Sequence, residues 1–99
     1  MPDVASLAAQ KLGLRVREAR RTLGLTQDDV ANLASMASSN YGKVERGLSN
    51  PTFHTIVRIA SVLNVDPAVL IAGLTANDLP EEPPTYDARD YIREKRARS

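Results

Sequence analysis

A short polar run, Ser38-Ser39-Asn40 followed by Lys43, carries the side chains of this 99-residue chain that are best suited to recognise another molecule. Hydroxyl, amide and ammonium groups donate hydrogen bonds, and the first two also accept them. Such groups bind the edges of bases in the major groove of DNA. The run falls on the outer side of a helix predicted over 38–46. A short helix and a tight turn at 35–37 precede it, and such a helix pair is a common way to enter the major groove.

Catalytic and metal-binding chemistry finds little support. The chain has no Cys and a single His, so thiolate chemistry is excluded and a transition-metal cluster has few ligands. His54 falls in the first turn of a predicted helix, where a surface position is the simpler interpretation. The acidic pairs Asp28-Asp29 and Glu81-Glu82 are adjacent in sequence, and adjacent residues on a helix do not face each other. We therefore expect no enzyme, no cofactor and no metal site.

Length and composition fit one small domain. With 42% hydrophobic residues, one Phe, three Tyr and no Trp, the core must be largely aliphatic, which favours packed helices. No apolar run approaches the roughly 18 residues that span a bilayer. The first residues lack the basic and then apolar pattern of a signal peptide. We expect a cytoplasmic protein with no membrane partner.

Five helices are predicted to position the polar run. The first spans 6–23 and ends at Gly24, and its apolar stripe has helical spacing: Leu12, Val16, Ala19 and Leu23. The second follows Thr26, which forms a capping-box pattern with Asp29. Three of its side chains are predicted to face inward: Val30, Ala31 and Ala34. In the third helix we expect Tyr41 and Val44 in the core and Gly42 on the outer side.

The remaining elements follow a loop at 48–51. The fourth helix, over 53–63, is capped by Thr52, and its predicted buried set is Phe53, Ile56, Ile59, Ala60 and Leu63. Asp66 caps the fifth helix, which begins with Pro67 and ends at Gly73. The aperiodic, Pro-rich and acidic residues 75–85 indicate a linker. The predicted organisation is a domain over 1–74, this linker, and a charged tail over 86–99 that is expected to form an exposed sixth helix or to fray.

Charge is unevenly distributed, although the net charge is only +1. Residues 1–24 carry five basic and two acidic residues, and a second basic cluster ends the chain: Arg93, Lys95, Arg96 and Arg98. Each cluster is equally consistent with a solvated helix face and with a surface for phosphates.

The motifs between residues 12 and 74 resemble the Cro/C1-type helix-turn-helix (XRE) family, which includes the phage repressors. They are Gly-Leu-Thr-Gln at 24–27, Val-Ala at 30–31, Lys-Val-Glu-Arg-Gly at 43–47, Asn-Pro-Thr at 50–52 and Ile-Ala-x-x-Leu-x-Val at 59–65. The resemblance implies an all-α, compact five-helix, lambda-repressor-like domain that binds double-stranded DNA and usually acts as a homodimer.

The resemblance also implies roles for individual residues. Gln27 would bind a phosphate or the outermost base pair, and Ser38, Ser39 and Lys43 would reach base edges, with Asn40 beside them. Lys43 would pair with guanine O6 and N7. Arg46 and the backbone around Asn50 would contact phosphates. Arg20 would pair with Glu45 and fix the third helix.

Three residues depart from the family pattern. Ser35 stands where the turn usually has Gly, and Ala37 stands where a capping Ser or Thr is usual. The turn is therefore expected to be reshaped, or Ser38 is expected to become the cap and to be lost to base recognition. Gly42 replaces a residue that normally has a side chain.

The most consistent function is a transcriptional regulator, a repressor or autoregulator that dimerises through the fifth helix and its neighbours. Val69, Leu70, Ile71 and Leu74 there exceed the needs of one small core. The alternative is a protein-interaction module, for example antitoxin-like, in which DNA binding is secondary or lost. Retention of Gln27, Lys43, Arg46 and the basic first helix argues against it. The tail offers three apolar groups, Tyr86, Tyr91 and Ile92, beside its basic end. They could dock on a second subunit, on another protein or along phosphates, unless the tail is simply frayed.

Overall fold

The first helix brings only part of the predicted apolar stripe into the core: Leu12 and Val16 are buried, Ala19 is partly buried, and Leu23 is 44% exposed. In the computed structural model, which describes residues 4–81 and 87–98, α1 spans Leu7–Thr22. The Ser6 hydroxyl caps it by accepting a hydrogen bond from the Ala9 amide at 2.9 Å. Its core face includes the fully buried Val16. Gly24 follows with φ +72°, a left-handed conformation that ends the helix at little steric cost.

Helices α2 (Gln27–Leu33) and α3 (Ser38–Glu45) form the helix pair. The predicted capping box begins α2: the Asp29 amide donates to the Thr26 hydroxyl, and the Thr26 amide donates to the Asp29 carboxylate. The backbone hydrogen bond from Thr26 lowers the pKa of Asp29. The residues of this helix pair that were predicted to be buried lie in the core. They are Val30, Ala31 and Ala34 from the first helix and its end, and Tyr41 and Val44 from the second.

Helices α4 (Phe53–Val62) and α5 (Pro67–Ile71) close the domain. Thr52 caps α4, and Asp66 caps α5 at the turn that Pro67 begins. Ile59, Leu63 and Leu70 join the core, each about 1% exposed. The prediction that Phe53 is buried is wrong, because the residue is 73% exposed. It is the first residue of α4, one turn before the part of the helix that meets the core.

The segment after α5 is more ordered than the predicted linker. Thr75 and Asp78 form a second capping box around a 3-10 helix, Ala76–Asp78. Lys11 of α1 donates to the buried Asp78 carboxylate at 2.7 Å, so this segment is attached to the domain. Hydrogen bonds from Lys11 and from the Thr75 amide lower the pKa of Asp78. The later part of the predicted linker, 82–85, lies outside the described residues.

The tail contains α6, Ala88–Arg98, which has no buried residue. Tyr91 and Ile92 are 60% and 47% exposed. Tyr86, expected beside them, lies outside the described residues. A five-helix domain followed by a sixth helix is the predicted all-α fold. No helix in the described parts of the chain has the length and apolar character needed to cross a membrane.

Two glycines let α1 lie directly against the C-terminal end of α3. A Cβ atom on Gly13 would be 2.4 Å from the Val44 carbonyl oxygen, so only a hydrogen fits there. A Cβ on Gly47 would be 2.8 Å from the Gln10 Cα. The Ala5 amide also donates to the Gly47 carbonyl at 2.7 Å. Backbone contact on both sides therefore fixes the position of α3 relative to α1.

Candidate nucleic-acid interface

The predicted polar run lies exposed on α3. Ser38, Ser39, Asn40 and Lys43 are all at the surface. Within 4–81 and 87–98, none of these four side chains hydrogen-bonds to the protein. Their donors and acceptors are therefore available to a ligand. The cap residue of α3 is Ala37, which has no side-chain cap, so the expectation that Ser38 becomes the cap is wrong and its hydroxyl stays available.

The turn between α2 and α3 contains a left-handed residue that is not glycine. Ser35 has φ +55°, the left-handed conformation that glycine adopts most easily. A residue with a Cβ pays about 1 to 2 kcal/mol for this conformation. Ser35 therefore adopts the conformation suited to the glycine it replaces and carries the strain, and α3 leaves the turn with its polar side exposed.

A buried carboxylate anchors α3 from behind. The Arg20 guanidinium donates twice to Glu45, from Nε to Oε2 at 2.6 Å and from Nη2 to Oε1 at 3.0 Å. The Tyr41 hydroxyl donates to Oε2 at 2.6 Å, and Gln27 Nε2 donates to Oε1 at 3.0 Å. Arg17 Nε adds a longer contact of 3.5 Å. The structure thus forms the Arg20–Glu45 pair and adds three donors, which tie α1, α2 and α3 to one side chain.

Electrostatics keep this anchor charged. Burial raises the pKa of Glu45, but hydrogen bonds from Arg20, Tyr41 and Gln27 outweigh it and lower that pKa to about 2. Burial and the hydrogen bond to Glu45 raise the pKa of Tyr41, which remains a neutral donor. The hydrogen bond with Glu45 also raises the pKa of Arg20. A buried, fully paired charge of this kind holds its partners in one geometry.

Gln27 faces two ways. One amide hydrogen is committed to Glu45, whereas its carbonyl oxygen points toward Gly42, 3.6 Å from where a Cβ would lie. Gln27 therefore lies beside α3, as the resemblance implies, but part of its hydrogen-bonding capacity holds the anchor. Nothing in the residue pattern indicated the Gln27–Glu45 bond, since it joins residues 18 positions apart.

The structure differs from the expected outer face of α3 at Gly42, which lies beneath the side chain of Arg46. Gly42 is buried, not exposed, because side chains cover it. Arg46 Nη1 lies 3.0 Å from the position of a Gly42 Cβ, and Arg46 Cζ lies 3.7 Å from it. Arg46 itself is exposed at the end of α3. Asn50, the other expected phosphate contact, is exposed in the loop before α4, where it lines a groove with Leu79.

The basic residues of α1 are mainly structural. Lys11 binds Asp78, and Arg15 Nη1 donates to the Leu70 carbonyl at 3.0 Å. Arg17 and Arg20 bind Glu45, and Arg20 Nη1 also donates to the Leu25 carbonyl at 2.9 Å. The charge of this helix therefore gives little support to DNA binding, because most of it holds the domain together.

A second surface lies between α1 and α5. Val69 and Leu23 are 56% and 44% exposed, and they line a groove with Leu63 and Val65 on its floor. Ile71 is 44% exposed, whereas Leu70 is a core residue and is not available for dimerisation.

Comparisons with known proteins agree with this geometry. Residues 16–70 match the family model described as helix-turn-helix. The chain is 30% identical over 70 residues to YonR, an SPbeta prophage-derived uncharacterized HTH-type transcriptional regulator of Bacillus subtilis. The aligned region covers 70% of this chain and 65% of YonR. The chain therefore spans less than two thirds of this curated relative.

Two solved structures are similar. The restriction-modification controller protein C.AhdI from Aeromonas hydrophila superposes with a TM-score of 0.61 at 37% identity, over 63% of this chain and 94% of that one. An HTH_3 family transcriptional regulator from Vibrio cholerae gives a TM-score of 0.62 at 29% identity, over 67% of this chain and 37% of that one.

Proposed function

Because the chain belongs to the Cro/C1-type helix-turn-helix (XRE) family of transcriptional regulators, we propose that it binds double-stranded DNA sequence-specifically by placing α3 in the major groove. One observation carries the proposal: the exposed side chains of α3 make no hydrogen bonds to the described protein, while the opposite side is anchored by Glu45. A rigid helix that presents unpaired donors and acceptors is suited to bind base edges.

The contacts divide by chemistry. Ser38, Ser39 and Lys43 contact base edges, with Lys43 directed to guanine, and Asn40 borders them. Gln27 contributes its remaining amide hydrogen to a phosphate or to the outermost base pair. The protein backbone around Asn50 contacts DNA phosphates, and the resemblance implies a phosphate contact for Arg46 as well. Backbone contacts set the register of the protein, and base contacts choose the sequence.

We also propose that the protein acts as a homodimer through the groove between α1 and α5. The exposed Val69 and Leu23 on its rim are supported by Leu63 and Val65 below. A two-fold dimer would place two α3 helices about 34 Å apart on a two-fold-related DNA site. A regulator that binds its own promoter as a repressor or autoregulator fits this arrangement, in a setting comparable to that of C.AhdI or YonR.

Selection from a random DNA library, followed by affinity measurements on the selected site, tests the function. We expect one enriched, two-fold-related sequence, and the logarithm of the affinity should fall steeply and linearly with the logarithm of salt concentration. Sedimentation at micromolar concentration should give the mass of a dimer. If no sequence is enriched, or if affinity does not respond to salt, DNA recognition is not the function.

The exposed α6 supports a protein-docking role in addition to DNA binding. Its Tyr91 and Ile92 are exposed on a helix without buried residues. An isolated 11-residue helix is only marginally stable in water, so a partner would stabilise it. We therefore propose that α6 docks a protein partner. The DNA selection above tests the alternative that the protein is an interaction module in which DNA binding is secondary or lost.

A further inference from the structure

The guanidinium of Arg46 lies over Gly42. Arg46 follows the last residue of α3, so its position in the sequence places it at the far end of the helix. Its side chain nevertheless covers residue 42, one turn earlier, with Nη1 3.0 Å from the position that a Cβ would take. The Gln27 carbonyl oxygen lies beside the same position, 3.6 Å away.

Helix geometry explains this placement. Side chains on an α-helix lean toward its N-terminus, and residues 39, 42 and 46 share one face. A side chain at 42 would fill the space that the Arg46 guanidinium occupies. Glycine leaves it open, so the charge of Arg46 is carried back toward the N-terminal half of α3. In helix-turn-helix proteins that half contacts the base edges.

The fold does not itself require glycine at 42. Gly42 lies within α3 and does not have the positive φ seen at Gly24 and Gly47, and glycine weakens a helix relative to alanine. The nearest atom to its Cβ position belongs to the end of a flexible side chain, whereas Gly13 faces backbone oxygen at 2.4 Å. Alanine therefore fits at 42 if Arg46 moves, since the Gln27 oxygen at 3.6 Å is at an ordinary contact distance, and the main consequence of glycine there is the position of Arg46.

We propose that Arg46 is a base-recognition residue directed to guanine in the major groove, and that Gly42 is the residue that positions it. This rests on the DNA-binding function proposed above and replaces the phosphate role that the resemblance implies for Arg46. The planar guanidinium donates two parallel hydrogen bonds to guanine O6 and N7. Together with Lys43, it adds long, positively charged donors to the short hydroxyl contacts of Ser38 and Ser39.

The test compares four full-length proteins: wild type, Gly42→Ala, Arg46→Ala and the double variant. Affinities are measured on the selected site and on versions with each base pair replaced, at several salt concentrations. Arg21→Ala is the charge-matched control, since Arg21 is an exposed arginine on α1. Melting temperatures are measured for all five proteins.

For Arg46→Ala we expect a loss of discrimination at one G·C pair, by roughly 5- to 150-fold, with other positions unchanged. Gly42→Ala should reduce discrimination at the same pair without lowering the melting temperature. In the Arg46→Ala background it should have no further effect, because it acts through Arg46. Arg21→Ala should leave base discrimination intact.

Other results overturn the proposal. If Arg46→Ala weakens all sites alike and reduces the salt slope by about 1, Arg46 contacts a phosphate. If the effects of the two substitutions multiply independently, or if Gly42→Ala unfolds the protein, Gly42 does not act by positioning Arg46. If wild type enriches no DNA sequence, the DNA-binding function fails first and the inference fails with it, which the wild-type measurement alone reveals.

Discussion

At the scale of single residues, Glu45 decides how rigidly α3 is held. Its side chain is fully buried and accepts hydrogen bonds from α1, from α2 and from Tyr41 one turn earlier in α3. Removing one partner of a buried ion pair costs more than the pair contributes, because the remaining charge is left without compensation. The conserved volume of a Glu→Gln change isolates this effect from packing.

Glu45→Gln should therefore lower the free energy of unfolding by about 3 kcal/mol, since it leaves the Arg20 charge buried and uncompensated. Chemical denaturation at neutral pH measures the change. Glu18→Gln, at an exposed position on α1, is the control and should shift stability by less than about 0.5 kcal/mol. Equal effects of the two substitutions would show that the network contributes nothing specific.

The same residue predicts a pH dependence. The folded-state pKa of Glu45 is lowered to about 2 from an ordinary value of 4.5, chiefly by Arg20 and Tyr41 acting against burial. The stability from this carboxylate is therefore complete above pH 4.5 and is lost as the pH falls toward 2. The difference in unfolding free energy between wild type and Glu45→Gln should narrow across this window. A constant difference from pH 6 to pH 2 would contradict the low pKa.

The sequence predicted some of this site and not the rest, for physical reasons. The Arg20–Glu45 pair followed from the family resemblance, and the exposed polar run of α3 followed from helical periodicity. The Gln27 donor depends on how α2 and α3 meet, which no local pattern contains. The Tyr41 donor lies one turn before Glu45 in the same helix, so its i,i+4 spacing could have indicated the bond. The position of Arg46 depends on the space above Gly42, so it too became visible only with the packed helices.

At the scale of elements, local capping patterns were dependable where they were recognised. Thr26-x-x-Asp29 correctly predicted the start of α2. Thr75-x-x-Asp78 has the same pattern and caps the 3-10 helix, but the surrounding Pro and acidic residues indicated a linker. The pairing of Asp78 with Lys11 spans 67 positions and left no local signal.

The contact between α1 and α3 predicts that replacing Gly13 destabilises the protein. Gly13→Ala gains helix propensity of roughly 1 kcal/mol. Its new methyl group would meet the Val44 and Glu45 carbonyl oxygens at 2.4 and 2.5 Å, and separating the helices outweighs that gain. We expect a melting temperature several degrees below wild type by circular dichroism, whereas Gly42→Ala, in mid-helix without a backbone contact, should not lower it. A Gly13→Ala protein as stable as wild type would mean that the two helices do not pack this closely.

At the scale of the whole molecule, charge is divided between two tasks. All basic residues of α1 except Arg21 pair with Glu45 or Asp78 or donate to carbonyl groups, so they hold the domain together. Lys43 and Arg46 remain at the surface of α3 for a ligand. The near-zero net charge therefore says little about DNA binding, since affinity depends on where the unpaired positive charges lie.

Two truncations test where the folded domain ends. A protein ending at residue 81 keeps the Lys11–Asp78 pair, whereas one ending at residue 74 loses Asp78, Leu79 and the 3-10 helix. Because Lys11 is 47% exposed, the pair itself contributes little, and we expect the shorter protein to be less stable by about 1 kcal/mol in chemical denaturation. The longer one should match the full chain, since α6 has no buried residue.

The longer truncation also separates the two roles proposed for the molecule. If α6 docks a protein partner, the protein ending at residue 81 should keep the dimer mass in sedimentation and the operator affinity of the full chain at every salt concentration. A smaller salt slope after truncation would instead place the α6 arginines on phosphates, because each lost phosphate contact lowers the slope by about 1. Loss of the dimer would place Tyr91 and Ile92 at the subunit interface. The described contacts favour the first result, because the groove between α1 and α5 is lined without any residue of α6.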